Sequence, residues 1–553
     1  MNWKLYTIDA TDAQILLTYS EVFEGDKPNL IEEIKKINMH KALSIISELI
    51  RVRDAYKEPV KTDFVEFSIP LEMVLKNEMC DIVPTSPEEL KSNKLLRKNV
   101  HIISVQMMLI LLKYIFAYGD FESMKDIDYR ISKEDYQMII KLQLIVAEIV
   151  SDKHEEGIDT DHFLYSTYHL NYQRNVANEL LRMYYMLEVI SQDKNNFAED
   201  IQNEFRYYYN DFASKYMFTP TEYSSILFWQ LAQYYSGING LTYNSIWTNI
   251  NESYGNSPLT DLANKVISTL CKPIKDYEDW SKQSLDLEWD FSEFFSFPVI
   301  QDEENNIVSI SDITLRNAFF EKIFWLIRDC YPKQDSRAMA FFGRLYEKYI
   351  QDVTENAVIG EYEYIDEFSY TENGNAKKSS DVYIKKENEL LVVEAKGFSV
   401  LLDCMIKNER VDDNNKKLFV DPILQADASL TSVLDKKTEF EDVETAYIVS
   451  VTMDNINAVP NYYNSIHNEI SENKKCAAVK YFYNLNIEEY EMLLYLMECG
   501  NDIFSLLKEY FDSSKLKPFS TYIQDKYSDI GMTKFMKKYY KDASDKMKSL
   551  LFS

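Results

Sequence analysis

Lys377-Lys-Ser-Ser-Asp381-Val-Tyr-Ile-Lys-Lys386-Glu-Asn-Glu-Leu390-Leu-Val-Val-Glu394-Ala-Lys396-Gly397 holds two short runs of strand-forming residues on either side of a polar turn. Asp381–Lys386 is β-branched and aromatic, and Leu390–Lys396 is more apolar. Glu387-Asn388-Glu389 between them is short and polar, so an antiparallel hairpin is the expected connection. Side chains alternate along a strand, which places Glu394 and Lys396 on one face and Val393 and Ala395 on the other. Antiparallel pairing carries Asp381, at the start of the first strand, towards Glu394 near the end of the second. Two carboxylates and an ammonium are therefore expected at one end of a sheet. Carboxylates hold hard divalent cations such as Mg²⁺. A neighbouring Lys can position or deprotonate a water and offset charge developing on a phosphate.

This arrangement resembles the PD-(D/E)XK nuclease superfamily, whose fold is the restriction-endonuclease-like one. Asp381 matches the first acidic position and Glu394-Ala395-Lys396 the (D/E)XK triplet, while Ser380 stands where the motif often has Pro. The resemblance implies a Mg²⁺- or Mn²⁺-dependent phosphodiesterase. Asp381, Glu394 and the Ala395 carbonyl would be metal ligands, and Lys396 would position the attacking water. It extends to two helices. Asp335 to about Ile350 carries Gly343-Arg344-Leu-Tyr-Glu347-Lys348, in which Glu347 matches an extra metal-site Glu; the plainer alternative is a carboxylate paired with Lys348 or Arg344. Leu418–Leu434 reads as a helix in which Gln425 matches a Gln that orients substrate or water, although a lone Gln on a helix usually faces solvent. The resemblance covers roughly residues 336 to 500.

At 553 residues the chain is long enough for several domains and a large core. A hydrophobic content of 46% with 27% charged residues is that of a folded globular chain. With only 12 Gly and 13 Pro, long helices with few tight turns are expected. The net charge of −30 argues against a surface made mostly for nucleic acid. Locally the balance differs: residues 377–417 hold nine Lys/Arg against eight Asp/Glu. Six scattered cysteines without a C-x-x-C pair fit reduced thiols in a cytoplasm and give no zinc signal. The opening MNWKLYTIDATD lacks the layout of a signal peptide. Ile102–Tyr118, the most apolar run, contains Gln106 and Lys113 and reads as a buried helix rather than a membrane span.

The expected organisation is a mostly helical region, 1–285, followed by a connecting hairpin and helix, 286–335. A restriction-endonuclease-like mixed sheet flanked by helices, 336–512, and a basic helical tail, 513–553, complete the chain. Helical spacing of apolar residues recurs at Ala42–Ile50, Ile102–Ala117, Tyr136–Val150, Asn171–Ile190 and Tyr223–Tyr235. Thr85-Ser-Pro-Glu-Glu89 has the look of a helix start. His154, Asp159, Asp161, His162 and His169 form a metal-like cluster, for which a solvated loop and a capped helix are the plainer reading. Tyr184-Tyr185 and Tyr207–Tyr209 could stack on bases, or simply fill core and grooves. Later, Val358–Ile365 reads as a strand, Thr445–Val451 as a buried central strand, Ala477–Tyr483 as another, and Asn486 as a helix cap. Gly374–Ser379 lacks the spacing of a phosphate-binding loop, so no ATP motor is evident. The tail, Lys515–Lys548, has nine Lys against four Asp, which could contact DNA backbone or form a solvated face.

The leading expectation is a metal-dependent nuclease, most simply a DNA endonuclease, with RNA not excluded. A homodimer would serve to cut both strands, and the helical region would sense a trigger or bind a partner protein, as in bacterial anti-phage or restriction effectors. The alternatives are a catalytically inactive nuclease-like scaffold and a helical partner-binding protein.

Overall fold

The computed structural model describes residues 15–23, 25–57, 100–101, 103–125, 130–154, 170, 175–236, 241–255, 258–372, 374–397, 399–407, 409–435, 440–453, 460–513 and 518–552. The expected helix start at Thr85–Glu89, Cys80, and the cluster members Asp159, Asp161, His162 and His169 lie outside the described residues. By contacts the chain divides into two compact units that interleave along the sequence. One takes residues 1–158, 169–173 and 222–322, and the other 159–168, 174–221 and 323–553.

The first unit is built on the helices Met39–Lys57, Val105–Tyr118 and Lys133–Lys153, which pack on one another. Ser104 caps Val105–Tyr118 by accepting the Met107 N–H, and Ser132 and Asp135 form a reciprocal capping box on Lys133–Lys153. Val105–Tyr118 is buried along most of its length, Lys113 included. The Lys113 ammonium donates to the carbonyls of Ser284 (2.6 Å) and Leu287 (2.8 Å), at the end of the helix Ile274–Ser284. Burial pushes its pKa down to about 8. Among the described residues no helix is long and apolar enough to cross a membrane. The expected hairpin forms as Val299–Gln301 against Asn306–Ser309, with Thr248–Asn249 added as a third strand. His154 pairs with Glu288 at 3.0 Å.

The second unit holds a five-stranded mixed sheet. The elements that bear on the site, in chain order, begin with helices α1 (Val176–Tyr184), α2 (Tyr208–Tyr216) and α3 (Ser336–Ala357). Strands β1 (Glu363–Asp366), β2 (Ser369–Glu372), β3 (Asn375–Lys378), β4 (Val382–Lys386) and β5 (Glu389–Lys396) follow. Then come α4 (Asp421–Leu434), β6 (Thr445–Thr452), α5 (Pro460–Asn473), β7 (Val479–Asn486), α6 (Ile487–Glu498), α7 (Ile503–Ser513), α8 (Phe519–Lys526) and α9 (Lys534–Leu551). The strand order is β7-β6-β5-β4-β1: β5, β6 and β7 run parallel, while β4 is antiparallel to β5 and to β1. β5 and β6 are near-continuous apolar runs, buried on both faces, as central strands of a covered sheet must be. α3 packs on α6 and β5, and α4 on β5 and β6.

Local chemistry explains where the elements differ from expectation. α3 runs on to Ala357, and Gly360, at φ +66°, turns the chain before β1, so the strand expected over Val358–Ile365 starts only at Glu363. Residues 369–378 form an antiparallel ribbon, β2–β3, turned through Gly374 at φ +81°. The hairpin turn is shorter than read, because Glu389 already belongs to β5 and Glu387 takes φ +53°. The helices read over Asn171–Ile190 and Leu418–Leu434, and the helix of the connecting segment, carry π-helical turns at 185–190, 416–420 and 318–322. Asn486 and Glu489 make the capping box of α6. In the tail, α9 buries Phe535, Met536, Ala543 and Met547 and packs on α1 and α3.

Candidate active site

The β4–β5 ladder ends at Val382 opposite Val393. One residue further, the backbone slot is taken by a side chain: Asp381 Oδ2 accepts the N–H of Ala395 at 2.7 Å. This bond fixes the Asp381 carboxylate beside the end of β5, next to Glu394, and both residues are buried. Ser380 is buried just before it, and its main-chain N–H donates to the Tyr383 hydroxyl at 3.1 Å. A Pro, the residue common at that point of the motif, has no such donor.

Alternation along β5 puts Glu394 and Lys396 on one face, and the Lys396 ammonium donates to Glu394 Oε1 at 2.8 Å. The same oxygen accepts from Gln425 Nε2 at 2.7 Å, which brings α4 to the site. α3 brings Glu347, whose Oε2 accepts from Arg344 at 2.8 Å, one helical turn earlier. Arg344 donates in turn to Glu204 at 3.1 Å. Lys348, the other partner considered for Glu347, pairs with Asp352 at 2.7 Å.

The electrostatics follow from this crowding. Burial, then the charges of Glu394 and Glu347, hold the Asp381 carboxyl well above the usual carboxylate range. Burial raises Glu394 against the opposing pull of Lys396, and raises Glu347 against Arg344. Burial works against the Lys396 ammonium, but Glu394, Asp381 and Glu347 outweigh it and lift its pKa. Asp381, Glu394, Glu347 and Lys396 therefore share one electrostatic site, and Gln425 is bonded into it. A divalent cation suits Asp381 and Glu394 chemically, since it would relieve the repulsion that now favours a proton on them. Among the described residues, however, no group of three or more His, Cys, Asp or Glu side chains is arranged to hold a metal ion. Glu347 is turned to Arg344 instead of completing such a group.

Three contributions escaped the sequence reading. The Ser380 N–H bond needs Tyr383 folded back over it. The Arg344 link to Glu204 joins residues 140 apart, for which no sequence signal exists. Lys378, at the end of β3, pairs with Glu367 at 3.0 Å and with Asp200 at 3.2 Å. Comparison of the chain with known protein families, with curated proteins and with solved structures found no match.

Proposed function

We propose that the protein is a metal-dependent nuclease of the PD-(D/E)XK type, and that the mixed sheet of the second unit is a restriction-endonuclease-like core. The observation that carries this reading is the burial of Asp381 and Glu394 together at one strand end, with Lys396 and Gln425 bonded to Glu394. Two buried acids with raised proton affinity are a costly arrangement for a fold to keep without a cation to serve. The order of strand, ribbon, hairpin, helices, strand, helix, strand and helix supports the fold assignment.

A Mg²⁺ or Mn²⁺ ion held by Asp381, Glu394 and the Ala395 carbonyl would supply Lewis-acid stabilisation of the phosphate charge. The chain's own residues do the rest. The Ala395 N–H fixes the Asp381 carboxylate, and Gln425 fixes that of Glu394. Lys396 orients the attacking water and offsets charge on the phosphoryl oxygens, and Glu347, once released from Arg344, would be placed to hold a second ion or its waters. DNA is the proposed substrate, with RNA as the comparison, and a homodimer would place two sites on a duplex. The helical remainder would sense a trigger or partner, as in an anti-phage or restriction effector. One observation favours a second reading, an inactive nuclease-like scaffold: Lys396 and Arg344 each already neutralise an acid of the site.

The test is incubation of the purified chain with plasmid, linear and single-stranded DNA and with RNA, in Mg²⁺, Mn²⁺ or EDTA. Cleavage that needs the metal is expected. No cleavage of any substrate, with no Mn²⁺ binding by calorimetry, would leave the scaffold.

A further inference from the structure

Two cations beside the candidate site are each shared between a nearby acid and one from far away in the chain: Lys378 with Glu367 at 3.0 Å and with Asp200, and Arg344 with Glu347 at 2.8 Å and with Glu204. Residues 197–206 form a loop with both feet on one ring: Phe197 and Phe205 are buried and lie 5.2 and 4.8 Å, centroid to centroid, from Phe341 of α3. Between the feet the backbone turns on itself, with the N–H groups of Ile201, Gln202 and Glu204 bonded to the carbonyls of Ala198, Glu199 and Ile201. The loop presents Asp200 to Lys378 at 3.2 Å and Glu204 to Arg344 at 3.1 Å. Lys378 stands three residues before Asp381, and Arg344 three before Glu347. Asp200 also feels the charge of Arg344, so the four groups form one cluster. None is buried: side-chain exposure is 37% for Lys378, 33% for Arg344, 59% for Asp200 and 25% for Glu204.

We propose that Arg344 and Lys378 contact the phosphates of a nucleic-acid strand entering the site, and that Asp200 and Glu204 occupy them as a built-in acidic competitor. The proposal rests on the nuclease reading for what lies beyond the two cations. A carboxylate and a phosphate offer a guanidinium the same oxygen geometry, so one can replace the other. Partly exposed ion pairs hold weakly, whereas a phosphodiester strand brings several charges at once and gains from counterion release. The loop's aromatic feet need not move for this exchange. In a chain of net charge −30, masking the local cations also discourages casual binding of nucleic acid.

Fluorescence anisotropy of labelled single-stranded and duplex oligonucleotides, in EDTA so that no cleavage intrudes, tests this. The double variant Asp200→Asn/Glu204→Gln should bind about fivefold more tightly than the unaltered chain, since each cation loses one of its two competing acids and keeps only Glu367 or Glu347, with a steeper salt dependence. Arg344→Gln/Lys378→Gln should weaken binding by about tenfold and flatten the salt dependence. Unchanged affinity in the first variant, alongside cleavage that Glu394→Ala abolishes, overturns the competitor and leaves the nuclease reading standing. Tighter binding without cleavage in any metal keeps the competitor and overturns the nuclease. No binding by any form overturns the competitor, while cleavage in Mg²⁺ or Mn²⁺ decides the nuclease reading separately.

Discussion

Two clusters of buried charge among the described residues of the second unit are built to opposite plans. Around Arg182, fully buried, stand Glu179 and Glu488 and Glu491, at 3.4, 3.0 and 3.4 Å. The guanidinium is the centre, and the acids close over it from α1 and α6. Tyr349 and Asn178 add hydrogen bonds to Glu491 at 2.6 and 2.9 Å. At the end of β5 the centre is instead a pair of acids, Asp381 and Glu394, and the cations Lys396 and Arg344 lie at the partly exposed margin. A raised carboxylate pKa does not distinguish the two, because burial pushes Glu491 up to about 7 as well. What differs is the sign at the centre and the access to solvent. A cluster organised around its own arginine holds helices together, whereas one organised around acids at a strand end is the kind that, on the proposed reading, receives a cation from outside.

The largest expected effect tests that distinction directly. Glu394→Ala, Asp381→Ala or Lys396→Ala should each lower metal-dependent cleavage by roughly a thousandfold or more, with circular dichroism unchanged. Full activity in Glu394→Ala would remove the site from the second cluster and make the two alike. Conversely, Arg182→Met should leave cleavage per folded molecule intact while costing roughly 3–5 kcal/mol of stability, since it strands buried acids. Urea unfolding measures the loss. A variant that stays fully folded yet loses cleavage would show that the clusters are not separable.

The clusters also differ in how far the sequence discloses them. Asp381, Glu394 and Lys396 are brought together by one hairpin, and strand alternation and antiparallel register are local rules that can be read from 21 consecutive residues. β6 is equally legible, as a near-continuous apolar run, and α6 is announced by Asn486 and Glu489. Gln425 required the helix after β5 to cross back over it, which the resemblance supplied and the spacing did not. The ribbon β2–β3 was not legible, because its residues are mostly exposed and, Tyr370 and Ala376 apart, polar. Nor could periodicity tell that residues 174–221 pack with 323–553, since an amphipathic helix names its buried face but not its partner. The Arg182 cluster and the loop carrying Asp200 and Glu204 both depend on that packing.

A medium effect separates the clusters by pH. A carboxyl with a folded pKa above its unfolded value binds more protons in the native state, so stability is greatest below the unfolded pKa and falls as pH rises to the folded one. For Glu491 that window runs from about 4.5 to about 7. Glu491→Gln should therefore flatten the fall in thermal stability between those limits. Asp381 and Glu394 are raised in the same direction, but their penalty should vanish with the ion. Mg²⁺ should raise the melting temperature more at pH 8 than at pH 5, and its binding should release protons into a weakly buffered solution. A metal effect independent of pH would mean that the ion binds elsewhere.

The smallest effect concerns Gln425, whose amide meets the Glu394 oxygen that also receives Lys396. Two donors on one oxygen hold the carboxylate in a single rotamer, and removing the neutral donor leaves the charged one in place. Gln425→Ala should therefore lower cleavage by about tenfold, within the range for loss of a group that orients a ligand, and should weaken Mn²⁺ binding in proportion. Gln425→Glu should do more harm, because it sets a third acid against Glu394 and draws Lys396 towards itself. If Gln425→Ala instead lowers turnover as far as Glu394→Ala does, with Mn²⁺ binding unchanged, the glutamine acts on the substrate or the water directly, and α4 is part of the chemistry and not only its support.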